Sequence, residues 1–228
     1  AEFKEGLRDG RVVYYRGERV KDVVAHHDLG IGVDHVALDY AMAEEPEHRD
    51  LMTWMDLKVG ERVSRYFKTP TDSADLLNRR EMIERSTRLG GGVVLLIKEI
   101  GTDALFALDL VTAHLDKAQG SEYRQRVTAF HEECKRKDLS LAVAQTDVKG
   151  DRSLLPSEQE HPDYYVHIAE ERADGIVVRG AKAHTTCAPY VDELIVLPTR
   201  AFKENDAHYA VSFAVPVNAP GLKLVASP

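Results

Sequence analysis

Two stretches in the second half of the chain carry more polar chemistry than a turn requires. The first, Thr146-Asp147-Val148-Lys149-Gly150-Asp151-Arg152-Ser153, gathers hydroxyls, carboxylates, two cations and a glycine. It offers side-chain and backbone donors, with positive charge, to an anion or a heterocycle. A solvated turn has a similar composition. The second, Arg179-Gly180-Ala181-Lys182-Ala183-His184-Thr185-Thr186, combines small residues, which admit close backbone approach, with Lys182, His184 and two threonines as donors. An edge strand with a polar face is the structural alternative.

Other chemistries fail on spacing. No G-x-x-x-x-G-K-[ST] occurs, and Gly90-Gly91-Gly92 lacks the G-x-G-x-x-G pattern, so these glycines are expected at a helix terminus and loop. His131 and Cys134 stand at i and i+3 of an expected helix, but no second pair completes four ligands, and no metal is expected. Adjacent His26 and His27 read as surface residues. There is no G-x-S-x-G elbow, and Cys187 near His184 reads as a small buried hydrophobe.

The elements that must position these residues change in texture along the chain. Residues 11–15 and 18–20 flank Arg16-Gly17 as a small hairpin, with the glycine able to take positive φ. A helix is expected from Asp72 or Ser73 to Gly90, with Leu76, Leu77, Met82 and Ile83 sharing a buried face. A second helix is expected after Thr102, with Leu105, Phe106, Leu108 and Leu110 partly buried. A third opens at Ser121 on the stripe Tyr123, Val127, Phe130 and Cys134. After Lys137 the apolar period falls to two, and strands are expected at 139–146, 164–167, 175–178, 193–197 and 209–217. Helices followed by strands imply an α+β chain of two domains, residues 1–138 and 139–228.

Composition bounds the partners. The 228 residues are 43% apolar, and 30 Lys+Arg against 38 Asp+Glu give a formal charge of −8. Without a long basic cluster, nucleic acid is not an expected partner. The longest apolar run, 93–97, is far too short for a bilayer, and the opening residues carry no export signal, so no membrane association and a cytoplasmic location are expected. Cys134 and Cys187 stand far apart and imply no disulfide framework.

Several ordered blocks carry a family resemblance. Leu7-Arg8-Asp9-Gly10-Arg11, Tyr15-Arg16-Gly17-Glu18-Arg19-Val20, Asp147-Val148-Lys149-Gly150-Asp151-Arg152-Ser153, residues 174–186, Leu197-Pro198-Thr199 and residues 209–216 resemble the flavoprotein family that unites 4-hydroxyphenylacetate 3-hydroxylases with 4-hydroxybutyryl-CoA dehydratases. The resemblance implies an acyl-CoA-dehydrogenase-like architecture: an N-terminal helical domain, a β-barrel-like domain, and a C-terminal helical bundle that these residues do not include. It implies FAD, with a wall built from Thr146, Asp147, Arg152, Ser153, Lys182, Thr185 and Thr186, and with His184 and Lys182 as catalytic groups. Lys149, Arg152 or Arg179 could face the pyrophosphate or the phosphates of a CoA thioester.

The resemblance divides over the reaction. The dehydratases hold an iron–sulfur cluster through a cysteine pair in the stretch that here reads Leu95-Leu96-Ile97-Lys98-Glu99-Ile100-Gly101-Thr102-Asp103-Ala104, without cysteine. The hydroxylases place an Arg and a Tyr in that stretch and a His on the strand before the Asp147 loop; the aligned positions hold Ile100, Ala104 and Val143. Lys98 and Glu99 read as exposed helix charges. The leading expectation is a reduced-flavin-dependent phenol monooxygenase served by a flavin reductase. The alternatives are a cluster-free dehydratase or isomerase acting on an acyl-CoA, and a non-catalytic flavin-binding module. A homo-oligomer, or the C-terminal half of the same protein, is the expected macromolecular partner.

Overall fold

The computed structural model describes residues 1–227 and divides into two compact units. Unit 1 comprises Ala1–Ala142, Cys187–Glu193 and the residues from Pro216 on; unit 2 comprises Val143–Thr186 and Leu194–Val215. In chain order the elements are α1 (Glu2–Gly6), β1 (Val13–Tyr15), β2 (Glu18–Val20), α2 (Leu29–Val36), α3 (Leu38–Glu44), α4 (Arg49–Met52), β3 (Thr53–Asp56), β4 (Glu61–Ser64), α5 (Ser73–Leu89), α6 (Glu99–Gln119), α7 (Tyr123–Lys137), β5 (Leu141–Ala144), β6 (His167–Arg172), β7 (Gly175–Arg179), β8 (Glu193–Val196), β9 (Phe213–Pro216) and β10 (Leu224–Ala226). No helix among the described residues is long and apolar enough to cross a membrane.

In unit 1 the hairpin forms as read. Arg16 and Gly17 both take positive φ, 51° and 84°, which matches a type I′ turn to the strand twist. β10 adds in parallel to β1, and Val13, Tyr15 and Val20 bury against Leu7, Val23, Leu29 and Val33. Arg11 anchors the returning segment: its guanidinium pairs with Asp9 and donates to the carbonyls of Pro189 (3.0 Å) and Val191 (2.9 Å). The short elements between residues 22 and 71 escape sequence reading. Gly30 and Gly32 look like breakers inside α2, yet a Cβ at Gly32 would lie 2.6 Å from the Tyr190 ring, so the glycine is there for packing. His26 is not simply a surface residue, because its Nδ1 accepts from the N–H groups of Asp28 and Leu29 at the start of α2.

All three long helices form, but only α5 carries the side-chain N-cap read from the sequence, and their buried faces differ from those expected. Asp72 caps α5 by accepting from Asp75 N (2.9 Å), and Gly91 and Gly92 leave the helix with φ of 69° and 93°. Leu76 and Leu77 are exposed (58% and 57%), because the inward seam of α5 runs through Asp75, Met82 and Ser86, and Met82 joins Met42, Met52 and Tyr66. α6 begins four residues earlier than expected and ends at left-handed Gly120; Leu105 is buried but Leu110 is 64% exposed. Of the α7 stripe only Cys134 is fully buried, while Tyr123 lies open. Asp116 on α6 serves the start of α7, accepting from Tyr123 N and Arg124 N (both 2.9 Å). His131 reaches the Phe67 carbonyl through Nε2 (2.9 Å).

The expected barrel-like domain is corrected. Among the described residues the strands form separate sheets, including β5-β8-β9 and a two-stranded β6-β7 ribbon, and no sheet closes. Two strands also begin later than expected, because Pro162–Tyr164 and Glu204–Tyr209 turn as 3₁₀ helices and pairing starts only at His167 and Phe213.

Two tests follow from unit 1. A Cβ at Gly101 would stand 2.2 Å from Leu141 Cβ, so Gly101→Ala is expected to cost about 1–3 kcal/mol in urea unfolding. Burial, and then the charges of Asp192 and Glu133, push the Glu193 carboxyl from its ordinary 4.5 up to about 7. Its protonated form is thereby favoured in the fold, so the contribution to stability is complete below pH 4.5 and is lost as pH rises toward 7. Glu193→Gln is expected to add about 1 kcal/mol near pH ~8 and almost nothing near pH ~4, as read from paired melting curves.

Candidate functional site

Both polar stretches lie in unit 2, and one salt bridge joins them. Asp147 and Lys182 form an isolated antiparallel bridge, reinforced by Ala183 N donating to Thr146 O (2.8 Å). The Lys182 ammonium lies 2.6 Å from Asp147 Oδ1 and donates to the carbonyls of Gln145 (2.9 Å) and Leu197 (2.8 Å). Thr199 closes the knot: its hydroxyl meets Asp147 Oδ2 and Gln145 O, and its Oγ1 accepts from Asp147 N (3.0 Å). Val166 N also points to Asp147 Oδ1 (3.3 Å). The side chains of Asp147 and Lys182 are 2% and 9% exposed, so every N–H of the ammonium is engaged inside the protein. Burial draws Lys182 below the ordinary lysine range, against the opposing pull of Asp147. Residue type and alternation point to Lys182; the part played by Thr199 is visible only once β8 brings Leu197-Pro198-Thr199 alongside.

The rest of the first stretch is a braced loop. Lys149 and Gly150 take positive φ (75° and 54°), and a Cβ at Gly150 would strike Gln159 Oε1 at 2.4 Å and the Tyr164 ring at 2.5 Å. Asp151 accepts from both the N–H and the hydroxyl of Ser153 (2.8 and 2.7 Å), and the hydroxyl bond leads in holding its carboxyl below the usual range. Gln159 ties the loop back by donating to Asp151 O (2.7 Å). Arg152 stands exposed. In the second stretch Arg179 pairs with Asp163 (2.9 Å), and Gly180 is dictated by the Tyr165 carbonyl, 2.5 Å from where a Cβ would be. His184 is exposed in the left-handed region (φ 58°), Thr185 is half-buried and Thr186 is exposed.

The residues singled out from sequence therefore separate by what their side chains do. Asp147, Ser153 and Lys182 are engaged within the fold. Among the described residues no hydrogen bond or ion pair engages the side chains of Thr146, Arg152, His184, Thr185 or Thr186. The structure joins Thr146, Asp147, Lys182 and Ala183, and among the described residues no hydrogen bond ties Arg152 or Ser153 to them. The free set offers three donor kinds: hydroxyls suited to the carbonyl and nitrogen edge of a planar heteroaromatic ligand, an imidazole able to accept or donate a proton, and the Arg152 guanidinium, suited to an anion.

Comparison with known proteins bears on what that ligand is. Residues 1–228 match the family described as 4-hydroxyphenylacetate 3-hydroxylase N terminal. The chain is 36% identical over 214 residues to 4-hydroxybutyryl-CoA dehydratase/vinylacetyl-CoA-Delta-isomerase of Clostridium aminobutyricum, covering 93% of the chain and 43% of that protein. Its fold is similar to that of an oxygen-tolerant archaeal 4-hydroxybutyryl-CoA dehydratase from N. maritimus, with a TM-score of 0.91 and 30% identity over 98% of this chain and 44% of that one. It is also similar to the oxygenase component of 4-hydroxyphenylacetate 3-monooxygenase complexed with FAD, with a TM-score of 0.83 and 25% identity over 98% of this chain and 45% of that one. The chain thus spans less than half the length of each.

The salt bridge is open to a direct check. Lys182→Met strands a buried carboxylate and is expected to cost about 3–5 kcal/mol, whereas the double variant Lys182→Met/Asp147→Asn should recover most of that loss in chemical unfolding.

Proposed function

The chain belongs to the 4-hydroxyphenylacetate 3-hydroxylase family, and from that premise we propose that it serves a reduced-flavin-dependent aromatic monooxygenase. Its two polar stretches would form one wall of the flavin and substrate pocket. The observation that carries the choice of chemistry is the start of α6: Lys98-Glu99-Ile100-Gly101-Thr102-Asp103 supplies no thiolate, so these residues do not fit an iron–sulfur cluster. Oxygenation needs the flavin alone.

The residues of unit 2 suit FAD by their donors. Thr146, Thr185 and Thr186 would hold the carbonyl and nitrogen edge of the ring system, where donors favour the negative charge of the reduced form. Arg152, exposed on its braced loop, would meet the pyrophosphate. When bound in reduced form, the flavin supplies the electrons that activate dioxygen. His184 would take the phenol proton on its imidazole as the ring is attacked, raising the electron density of the aromatic carbon. In this reading Lys182 acts through position, holding the two stretches together, because its ammonium already has three partners. A separate flavin reductase would deliver the reduced cofactor, and the remaining half of the family's polypeptide, or a second copy, would complete the pocket.

A second reading rests on the stronger likeness to the dehydratases, 36% identity and a TM-score of 0.91. Here His184 would shuttle a proton on a hydroxyacyl-CoA or vinylacetyl-CoA, and Lys149 and Arg152 would meet the CoA phosphates. The experiment pairs two incubations of the purified protein with reduced FAD: 4-hydroxyphenylacetate in air, and 4-hydroxybutyryl-CoA without oxygen. Formation of a catechol in the first is the expected outcome, and product in the second alone would replace the hydroxylase reading with the dehydratase one. Product in neither, with no change in the visible flavin spectrum on mixing, would leave a flavin role without support. His184→Ala is expected to slow turnover about a hundredfold with FAD affinity retained. Thr185→Val and Thr186→Val should each weaken FAD binding about five- to tenfold in spectral titration.

A further inference from the structure

A buried polar corner of unit 1 leaves three hydrogen-bonding atoms without a partner. Lys98, which its sequence presents as an exposed helix charge, is 1% exposed, and Tyr66 and Asp39 beside it are 1% and 2% exposed. Among the described residues, Asp39 Oδ1, Tyr66 Oη and Glu99 Oε2 are each buried and meet no hydrogen-bond partner. Buried polar atoms are nearly always satisfied by protein or by enclosed water, because an unmet one keeps its full desolvation cost. The three atoms belong to one corner. Asp39 stands three positions before Met42 on α3, and Met42 packs with Tyr66 and Met82, so the carboxyl shares the helix face turned toward the tyrosine. Tyr66 lies in the 3₁₀ turn Arg65–Phe67, and Glu99 is the first residue of α6. Arg79 holds both, donating to Tyr66 O (3.2 Å) and Glu99 O (2.9 Å).

The donors of the corner are already spent. Lys98 Nζ lies 2.9 Å from Asp39 Oδ2 and 2.8 Å from Asp138 Oδ1, and it also meets the face of the Tyr40 ring, 3.8 Å from its centre. Arg79 turns its Nη2 to Thr102 Oγ1 (2.9 Å) and Asp103 (2.8 Å) as well. Ser86 faces the Tyr66 hydroxyl, but its own proton goes to Ile83 O (3.1 Å). Burial, and then the charge of Asp39, push the Tyr66 hydroxyl up against the pull of Ser86, so it stays protonated and a donor. What remains is one proton to give and two carboxyl oxygens to receive. A water molecule matches that set, because it accepts the tyrosine bond and donates two of its own, the usual three of an enclosed water. The two carboxyls refuse an anion, and a metal or ammonium ion would add a third positive charge beside Lys98 and Arg79.

We infer that unit 1 encloses a structural water bound by Tyr66 Oη, Asp39 Oδ1 and Glu99 Oε2, which joins α3, the Arg65–Phe67 turn and the first turn of α6. Every group that holds it lies within unit 1, and the site is independent of the function proposed above. The water completes hydrogen bonds that the side chains do not make with one another, and it ties together three elements that are far apart in sequence.

The test is a high-resolution crystal structure of the full-length protein, grown once in sodium chloride and once in rubidium chloride, paired with oxygen-17 magnetic relaxation dispersion in solution. The expected result is an ordered peak within hydrogen-bond reach of all three atoms, without anomalous scattering from rubidium. In solution the same water should stay bound for longer than the molecule takes to tumble. Direct contacts among the three side chains, with no peak reaching all of them, overturn the inference. Rubidium scattering at that point overturns it too, by making the site one for a cation. Two variants tie the solution signal to the site: Tyr66→Phe removes the donor and Glu99→Ala removes one acceptor, and each is expected to release the water about tenfold faster. Either variant decides alone should the other fail to fold, since an unchanged residence time in a folded variant overturns the assignment.

Discussion

The buried contact between Asp147 and Lys182 is the constraint on which the candidate site depends. Two segments thirty-five positions apart have no other strong reason to lie together, since neither belongs to a regular ladder at that point. An ammonium with three oxygen partners satisfies the carboxylate, the end of β5 and the end of β8 at once. Burial makes the arrangement all-or-none: with either charge missing, the other faces a low-dielectric environment unpaired. Thr199 adds direction by engaging the second carboxylate oxygen, so the geometry is specified and not merely neutralised.

That same constraint sorts the polar residues by role. Asp147, Lys182 and Thr199 of the knot, and Asp151 and Ser153 of the loop, have side-chain hydrogen bonds filled from within, whereas among the described residues no hydrogen bond engages the side chains of Thr146, Arg152, His184, Thr185 or Thr186. A fold that hosts unlike chemistries does so by changing residues in the second group while the first stays in place. The solved structures that this chain is similar to include both a dehydratase and an oxygenase component.

Much of this was legible from residue order alone where a local physical signal existed. Asp72 before an apolar period marked the start of α5, and Arg16-Gly17 between β-prone residues marked the first hairpin, because capping and left-handed turns act over four residues. The α+β character and the two polar stretches were legible for the same reason. What failed depends on distant partners. Leu76 and Leu77 look buried by composition but lie off the seam that meets α3 and α4; Lys98 looks like a surface charge until Asp39 and Asp138 enclose it. The strands β5 to β9 were foreseen, though not their exact bounds, but their failure to close into a barrel was not, since sheet closure is a property of register between strands and leaves no mark on any one of them.

The left-handed backbone at His184 has an evolutionary corollary. Glycine or asparagine would adopt that conformation with less strain, by roughly 1 kcal/mol against glycine, so drift at this position runs downhill toward residues without an imidazole. A lineage that retains histidine there does so against a standing thermodynamic bias, and one that replaces it with glycine gains stability at once. Residue 184 is therefore a place where descendants of this fold would diverge quickly once selection on the side chain relaxed.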